Sequence, residues 1–457
     1  MDKLKHVLQS STLVITMGLR VRTIAVLCLA GTIFSQTTTT PTKKKKSTKS
    51  TPVTRITAAA RAASAARVEQ YLEASAGATL FQPGALVPVF EQLTRMSAGQ
   101  DPKSVHMMHF GDSHTAADEW TGGLRDLFKG KFGDGGSGFS VAGRPFLGYR
   151  RFDARGGAST LWHSYGGRAG AGDGYFGLGG VSILASVRGQ SVYLDAECDR
   201  LEIEYLLQPG GGSLELYDND QPVDEISTDG ELGPGYTAYE ISPGQHRFKL
   251  VTLDSNSVRL FGWAADRNAG VTYEALGLNG AEATVIEHWN EAMTATYLQH
   301  RNPGLIVLAY GTNEATDPNW DADSYRTMFG DVLDRLRRAV PTASILAVGP
   351  GDRWRYLRGR WQIVDGIDKI VDAQQAACRE RGVAFWDTRG RMGGKGAMRD
   401  WVYAGLAQGD FVHFTSAGYR QLAAAMYADV MQQFEEYRKT RTEVGAPAAN
   451  GHPDKDR

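Results

Sequence analysis

From Leu276 onward, short and wholly apolar runs alternate with segments of helical periodicity, and few folds accommodate that pattern. Leu305–Tyr310 (LIVLAY), Ser344–Val348 and Val383–Trp386 show none of the in-out alternation of a strand with one wet face. Such runs read as strands buried on both sides, as in parallel sheets. Between and around them Thr284–Gln299, Tyr325–Val340 and Ile363–Arg381 read as helices, and Ser416–Tyr437 closes the series with Thr415 or Ser416 as N-cap. Upstream, Val105–Phe110 is a further apolar run, broken at Gly111 and followed by a helical pattern over Ala116–Phe132. Trp120, Leu124, Leu127 and Phe128 share one face of that helix. The alternation predicts an α/β fold: a doubly wound parallel sheet in a three-layer α/β/α sandwich.

A different pattern interrupts it. Between about Ala142 and Asn268 the segments are short and alternating: Val181–Val187, Ser191–Leu194, Leu201–Leu207, Ser213–Tyr217, Thr237–Ile241, His246–Thr252 and Val258–Trp263. Pro-Gly, Asp-Asn-Asp and Gly-Pro-Gly separate them, and the chain's 54 glycines cluster in its first two thirds. Strands at this spacing predict an antiparallel β-sandwich of jelly-roll type. The reading is therefore a split α/β domain, residues 57–140 and 272–440, with a β-sandwich inserted at 141–271. Gly133–Gly138 (GDGGSG) ends the first half; no Lys-Ser/Thr follows it, so it reads as a loop without a phosphate. Ala58–Ala76 and Pro88–Met96 add two helices ahead of the first strand.

Residues 1–36 read as an export signal: Arg20 and Arg22 precede the apolar run Ile24–Phe34, which is too short for a bilayer span. An uncleaved N-terminal anchor is the alternative, and the only expected tie to a membrane. Residues 37–56, rich in Thr, Lys and Pro, read as a linker, and 441–457 as a disordered tail. Residues 1–50 hold nine Lys/Arg and one acid, so the rest of the chain has 41 Lys/Arg against 50 Asp/Glu. An acidic globular part argues against nucleic-acid binding. Beyond Cys28, only Cys198 and Cys378 remain, which make neither a disulfide framework nor a zinc spacing. No metal or other cofactor is expected.

The chemistry centres on His109-Phe110-Gly111-Asp112-Ser113-His114-Thr115. A serine on a strand-to-helix turn stands at the carboxyl end of a sheet, where α/β folds place their sites. To act as a nucleophile it needs a base, and that base needs an orienting group. Asp410-Phe411-Val412-His413, just before the last helix, offers both: His413 as base and Asp410 on its other ring nitrogen. An acyl oxyanion needs donors. The N–H of Ser113, the N–H of Gly280 in the turn Asn279-Gly280-Ala281, and the amide of Asn313 after a buried strand are candidates. Asp112 reads as the organiser of the turn. His109 and His114 are candidates for substrate contact, with a structural role the alternative. Trp162, Tyr165, Tyr175 and Trp263 are candidates for stacking on sugar rings, with core packing the alternative.

The order Gly-Asp-Ser, Asn-Gly, Gly-Thr-Asn, Asp-x-x-His resembles the blocks of the SGNH (GDSL-type) hydrolase superfamily, over roughly residues 105–139 and 276–433. The stretch GDSHTAADEWTGGLRDLF…FGDGGSGF resembles more narrowly the exported peptidoglycan O-acetylesterases of the Ape1 type, which also carry a carbohydrate-binding-like β-sandwich between the first two blocks. The resemblance implies a serine esterase with Ser113, Asp410 and His413 as triad. It also implies Ser113, Gly280 and Asn313 as oxyanion hole. Two positions depart from the common pattern: His114 where Leu is frequent, and Glu314 where Asp is commoner. The expected function is removal of O-acetyl groups from a cell-wall glycan, with peptidoglycan as substrate and the periplasm or cell envelope as location. An O-acetyltransferase, a deacetylase of another glycan, and an inactive glycan-binding protein are the alternatives.

Overall fold

The structure is a computed structural model that describes residues 56–101, 103–167, 172–317 and 320–445. The expected export signal, nearly all of the linker and most of the tail lie outside the described residues.

Six strands form the central sheet, in the order Leu80–Phe81, Ala384–Trp386, Ser344–Val348, Leu305–Ala309, Val105–Gly111, Val271–Gly277. All neighbours run parallel except the short edge strand Leu80–Phe81. The two inner strands show why the apolar runs are unbroken. Val105 and Met107, with Leu305 and Val307, pack on one face among the helices Val87–Ser97, Glu119–Phe132 and Ser416–Gly445. Met108 and Phe110, with Ile306 and Leu308, pack on the other among Glu291–Arg301, Ala322–Ala339 and Gly366–Arg381. Both faces are dry, so both side-chain sets must be apolar. The three-layer α/β fold is as expected.

After the edge strand Leu80–Phe81, the parallel part of the sheet begins at Val105–Gly111, steps to one side for Val271–Gly277, then returns past its start to Leu305–Ala309. This reversal leaves a crevice beyond the carboxyl ends of Val105–Gly111 and Leu305–Ala309, the place where such sheets hold their sites.

The second sheet has nine antiparallel strands. It is built on two long ones, Ser191–Leu207 and Gly233–Thr252, each read from the sequence as two short strands. At Pro243-Gly244 the expected turn is a bulge: the register with Ser191–Leu207 shifts between Glu240 and Gly244 while the strand continues. Arg155–Ala158, His163–Gly166 and Gln221–Ser227 are further strands that the alternation did not reveal. Gly136–Val141 pairs with Val258–Asp266, so the glycine-rich stretch ends inside the second sheet and the boundary lies ahead of residue 141.

The two sheets share a core. Phe139, Val141, Leu206 and Phe261 belong to the same buried cluster as Phe110, Leu276 and Ile306. Tyr297 donates to the Tyr205 carbonyl at 2.7 Å and receives the Gly235 N–H at 3.1 Å. Arg301, nearly fully buried, holds Asp266 of the second sheet and Glu274 of the first. An insertion joined in this way is braced against the α/β layers.

Three expected helices differ in detail. Ala116–Phe132 is two pieces, Ser113–Ala116 and Glu119–Phe132, separated at Asp118 in a left-handed conformation (φ 55°). Buried Arg125 pairs with the Asp118 carboxylate at 2.7 Å and holds that break. Thr284–Gln299 is a 3₁₀ turn, Ala283–His288, then a helix from Glu291 capped by Asn290. The last helix runs to Gly445, beyond the expected end at Tyr437.

Candidate active site

Ser113 is the first residue of its short helix, directly after the strand Val105–Gly111. Asp112 caps it, accepting the His114 N–H at 2.9 Å, as a turn organiser should. The helix start leaves the Ser113 N–H without a partner in the helix.

His413 lies in the turn before the last helix. Its Nε2 is 2.9 Å from Ser113 Oγ, and its Nδ1 is 2.8 Å from Asp410 Oδ2. Asp410 accepts at Nδ1, so that nitrogen carries the proton and Nε2 is left to accept from serine. The other Asp410 oxygen receives the N–H of Val412 at 3.0 Å and of His413 at 3.1 Å. Partial burial would raise its pKa, but the His413 ring and these two N–H groups outweigh it and hold the carboxyl at about 2. Phe411 makes the turn tight enough: its φ is 59°, unusual for a large side chain. Its ring is held against Trp361 at 4.4 Å between centroids.

The turn after Val271–Gly277 comes up beside the serine. Leu278 donates to the Gly111 carbonyl at 2.9 Å. Gly277 lies against the backbone of Thr115 and Ala116 so closely that a side chain there would enter the nucleophile helix. Gly280 has φ 73°, with nothing within 4 Å of where a Cβ would stand, and its N–H has no partner among the described residues. A glycine takes this left-handed conformation without strain. Asn313 donates through Nδ2 to the Ala281 carbonyl at 2.8 Å, which spends one of its two amide hydrogens and leaves the other.

Glu314 ties these pieces together, a role no sequence signal announced. One carboxyl oxygen accepts the Gly311 N–H at 3.0 Å, and the other accepts the Ala283 N–H at 3.0 Å. It thereby joins the Asn313 turn to the Gly280 turn. Burial, only partly offset by the Ala283 N–H and its own backbone N–H, pushes its pKa up to about 7.

Ser113 and His413 open on a cleft of about 510 Å³, also lined by Glu119, Gly148, Arg150 and Asn279. His114 is placed behind it. The ring is buried, bonds Tyr419 Oη at 2.8 Å and packs 5.1 Å from the His413 ring, so it braces the base and does not face the cleft. Burial lowers its pKa to about 4 and keeps it neutral. His109 is fully buried and bonded to Tyr273 at 3.0 Å. Trp263 is core, and the Trp162 indole N–H is spent on the Ser191 carbonyl. Among the described residues no group of three or more His, Cys, Asp or Glu is arranged to hold a metal.

A serine, an imidazole and a carboxylate in hydrogen-bonded series, at the carboxyl end of a parallel sheet, define a serine hydrolase. Residues 251–421 match the model of the GDSL-like lipase/acylhydrolase family, which takes in the Gly280, Asn313 and Asp410–His413 segments. That matched segment, together with the Ser113–His413–Asp410 arrangement, supports an esterase of the SGNH, GDSL-like, type.

Among solved structures, a peptidoglycan O-acetylesterase matches with a TM-score of 0.65 and 25% identity, over 77% of this chain and 96% of that one. Family two carbohydrate esterases from Cellvibrio japonicus and Clostridium thermocellum align with a TM-score of 0.28 and 12% identity. They cover 62% and 56% of this chain and 98% and 95% of theirs. No curated protein matches the chain in sequence.

Proposed function

We propose that this protein is an exported esterase that removes O-acetyl groups from peptidoglycan through an acyl-enzyme. The observation that carries the reading is the likeness to the peptidoglycan O-acetylesterase, because it extends over 77% of the chain and so beyond the α/β layers alone. The hydrogen-bonded Ser113, His413 and Asp410 support the chemistry.

In this mechanism Ser113 Oγ attacks the acetyl carbonyl carbon while His413 Nε2 takes its proton. Negative charge collects on the carbonyl oxygen, where the N–H groups of Ser113 and Gly280 and the free amide hydrogen of Asn313 receive it. Collapse expels the sugar oxygen, which takes the proton from His413. A water then gives its proton to the same nitrogen, attacks the acetyl-serine, and acetate leaves with Ser113 restored. Asp410 stays ionised throughout and stabilises the imidazolium between the steps.

The test is acetate release from O-acetylated peptidoglycan, compared with acetylated xylan and an acetylated capsular polysaccharide. Peptidoglycan is expected to be the preferred polymer, and Ser113→Ala to lower turnover by about 10⁴-fold or more while retaining glycan binding. Turnover retained in Ser113→Ala removes the serine from the mechanism. Release from xylan alone moves the substrate to a neutral polymer.

A further inference from the structure

A second cavity of about 590 Å³ adjoins the catalytic cleft and shares Gly148 and Arg150 with it. It lies in the segment between the nucleophile helices and the long strands of the second sheet. Its floor is apolar, from Val141, Ala154 and Leu194, and its walls carry Arg144, Arg150 and Arg155. All three of these arginines are exposed, and none forms an ion pair among the described residues. No Asp or Glu lines the cavity. Arg151, also in the wall, is structural: its guanidinium is committed to the carbonyls of Ser137 and Phe139 and to Asp153.

The concentration of charge runs against the rest of the molecule. Outside residues 1–50, acids outnumber bases by 50 to 41, yet three cations and no carboxylate line this cavity. Asp195, opposite Arg155 across the strand pair, is already held by both arms of Arg247. Glu119 lines the catalytic cleft and not this cavity. Like charges placed together on one concave surface repel, and folding gains nothing from the arrangement. Guanidinium groups match carboxylates with paired, charge-assisted hydrogen bonds.

We infer that this cavity is a carboxylate-binding subsite that seats an acidic group of the glycan while the adjoining ester reaches Ser113. The inference rests on the esterase reading of the cleft and narrows its polymer to a carboxylate-bearing one. Peptidoglycan, with free carboxylates on its stem peptides and on lactyl groups that carry no peptide, belongs to that class, whereas acetylated xylan backbones are neutral. Arg150, common to both cavities, is the residue through which the position of the acid would register the ester.

Two measurements test it. In the first, Arg144→Ala/Arg155→Ala and wild type are compared on O-acetylated peptidoglycan and acetylated xylan, with the fold checked by circular dichroism. KM for peptidoglycan is expected to rise about tenfold, with kcat nearly kept and xylan much less affected. An unchanged KM, or an equal loss on both polymers, overturns the subsite. In the second, Ser113→Ala is sedimented with peptidoglycan before and after amidation of its carboxylates, which requires neither turnover nor an arginine variant. Binding is expected to weaken about tenfold on amidation and to weaken with added salt. Equal binding to both forms overturns the inference. If wild type releases no acetate from peptidoglycan, the proposed substrate fails on its own count, and the sedimentation result still decides whether the cavity reads carboxylates.

Discussion

At one corner of the cleft Asp410 is half-exposed, receives three N–H groups from its own turn and is held at about 2. At the other, Glu314 is buried, receives backbone N–H groups from two separate turns and is pushed up to about 7. The partners of Asp410 lie within three residues of it. Those of Glu314 include Ala283, 31 residues away along the chain. The same functional group thus does two jobs. An ionised, solvated carboxylate supplies charge to an imidazole. A desolvated one supplies two acceptors that hold two loops in register, and it pays for its burial with a raised pKa.

The largest expected effect that separates them is on Asp410. Asp410→Asn keeps the shape but no longer selects the productive ring tautomer, and kcat is expected to fall by about 10³- to 10⁴-fold. Steady-state kinetics on a soluble acetyl ester measures this; a loss under tenfold would mean that His413 is oriented by something else. Asn313→Ala removes a donor from the corner that Glu314 organises. The expected loss in kcat is about 10²-fold or more, with KM little changed. A pure KM effect would place Asn313 in binding and leave the oxyanion without it.

Glu314→Gln is the milder and more diagnostic variant. An amide offers one acceptor where the carboxylate offers two, so one of the two turns is released, and kcat is expected to drop about tenfold by misplacement of Gly280 or Asn313. Its companion measurement is stability against pH. The folded value of about 7 lies above the ordinary carboxylate range, so the folded chain keeps a proton that the unfolded chain has lost. Stability from this group therefore falls as pH rises from about 4.3 to about 7 and levels off above. Asp410 has the opposite sign: its contribution is present above about 4 and disappears as pH falls toward 2. Between pH 5 and 8 only Glu314 of the pair acts, so the thermal midpoint of wild type is expected to fall across that window. The Glu314→Gln midpoint should be flatter. Equal slopes would mean that the Glu314 carboxyl titrates in its ordinary range.

Much of the α/β half was legible because its signal is local. Leu305–Ala309 is wholly apolar since both its faces are covered, and a run of that kind needs no knowledge of what covers it. Ser113 and the Asp410–His413 turn could be located for a related reason. A nucleophile after a strand and an acid three residues before a base are short-range arrangements, and the order of the blocks supplied the rest. The second sheet was legible in kind and misread in detail. Pro243-Gly244 marks a turn in most chains, but here 16 aligned residue pairs with Ser191–Leu207 outweigh it and absorb the irregularity as a bulge. Asp118 broke a helix that periodicity carried through, because Arg125 and the Phe152 N–H both reach its carboxylate.

Other features belong to the fold alone. His114 stands next to the nucleophile in the chain and yet turns into the protein, where Tyr419, 305 residues on, takes its ring nitrogen. Along the chain Glu314 is only a departure from the commoner Asp; the sheet reversal sets the turn after Val271–Gly277 within reach of it. Arg144, Arg150 and Arg155 are scattered cations along the chain and become one wall when that segment folds against Val141 and Leu194. Periodicity reports which face of an element is dry and which short turn can carry a nucleophile, because both depend on neighbours in sequence. Which carboxylate is buried, which histidine is spent and which charges converge depend on contacts between distant segments, and those exist only once the two sheets share a core.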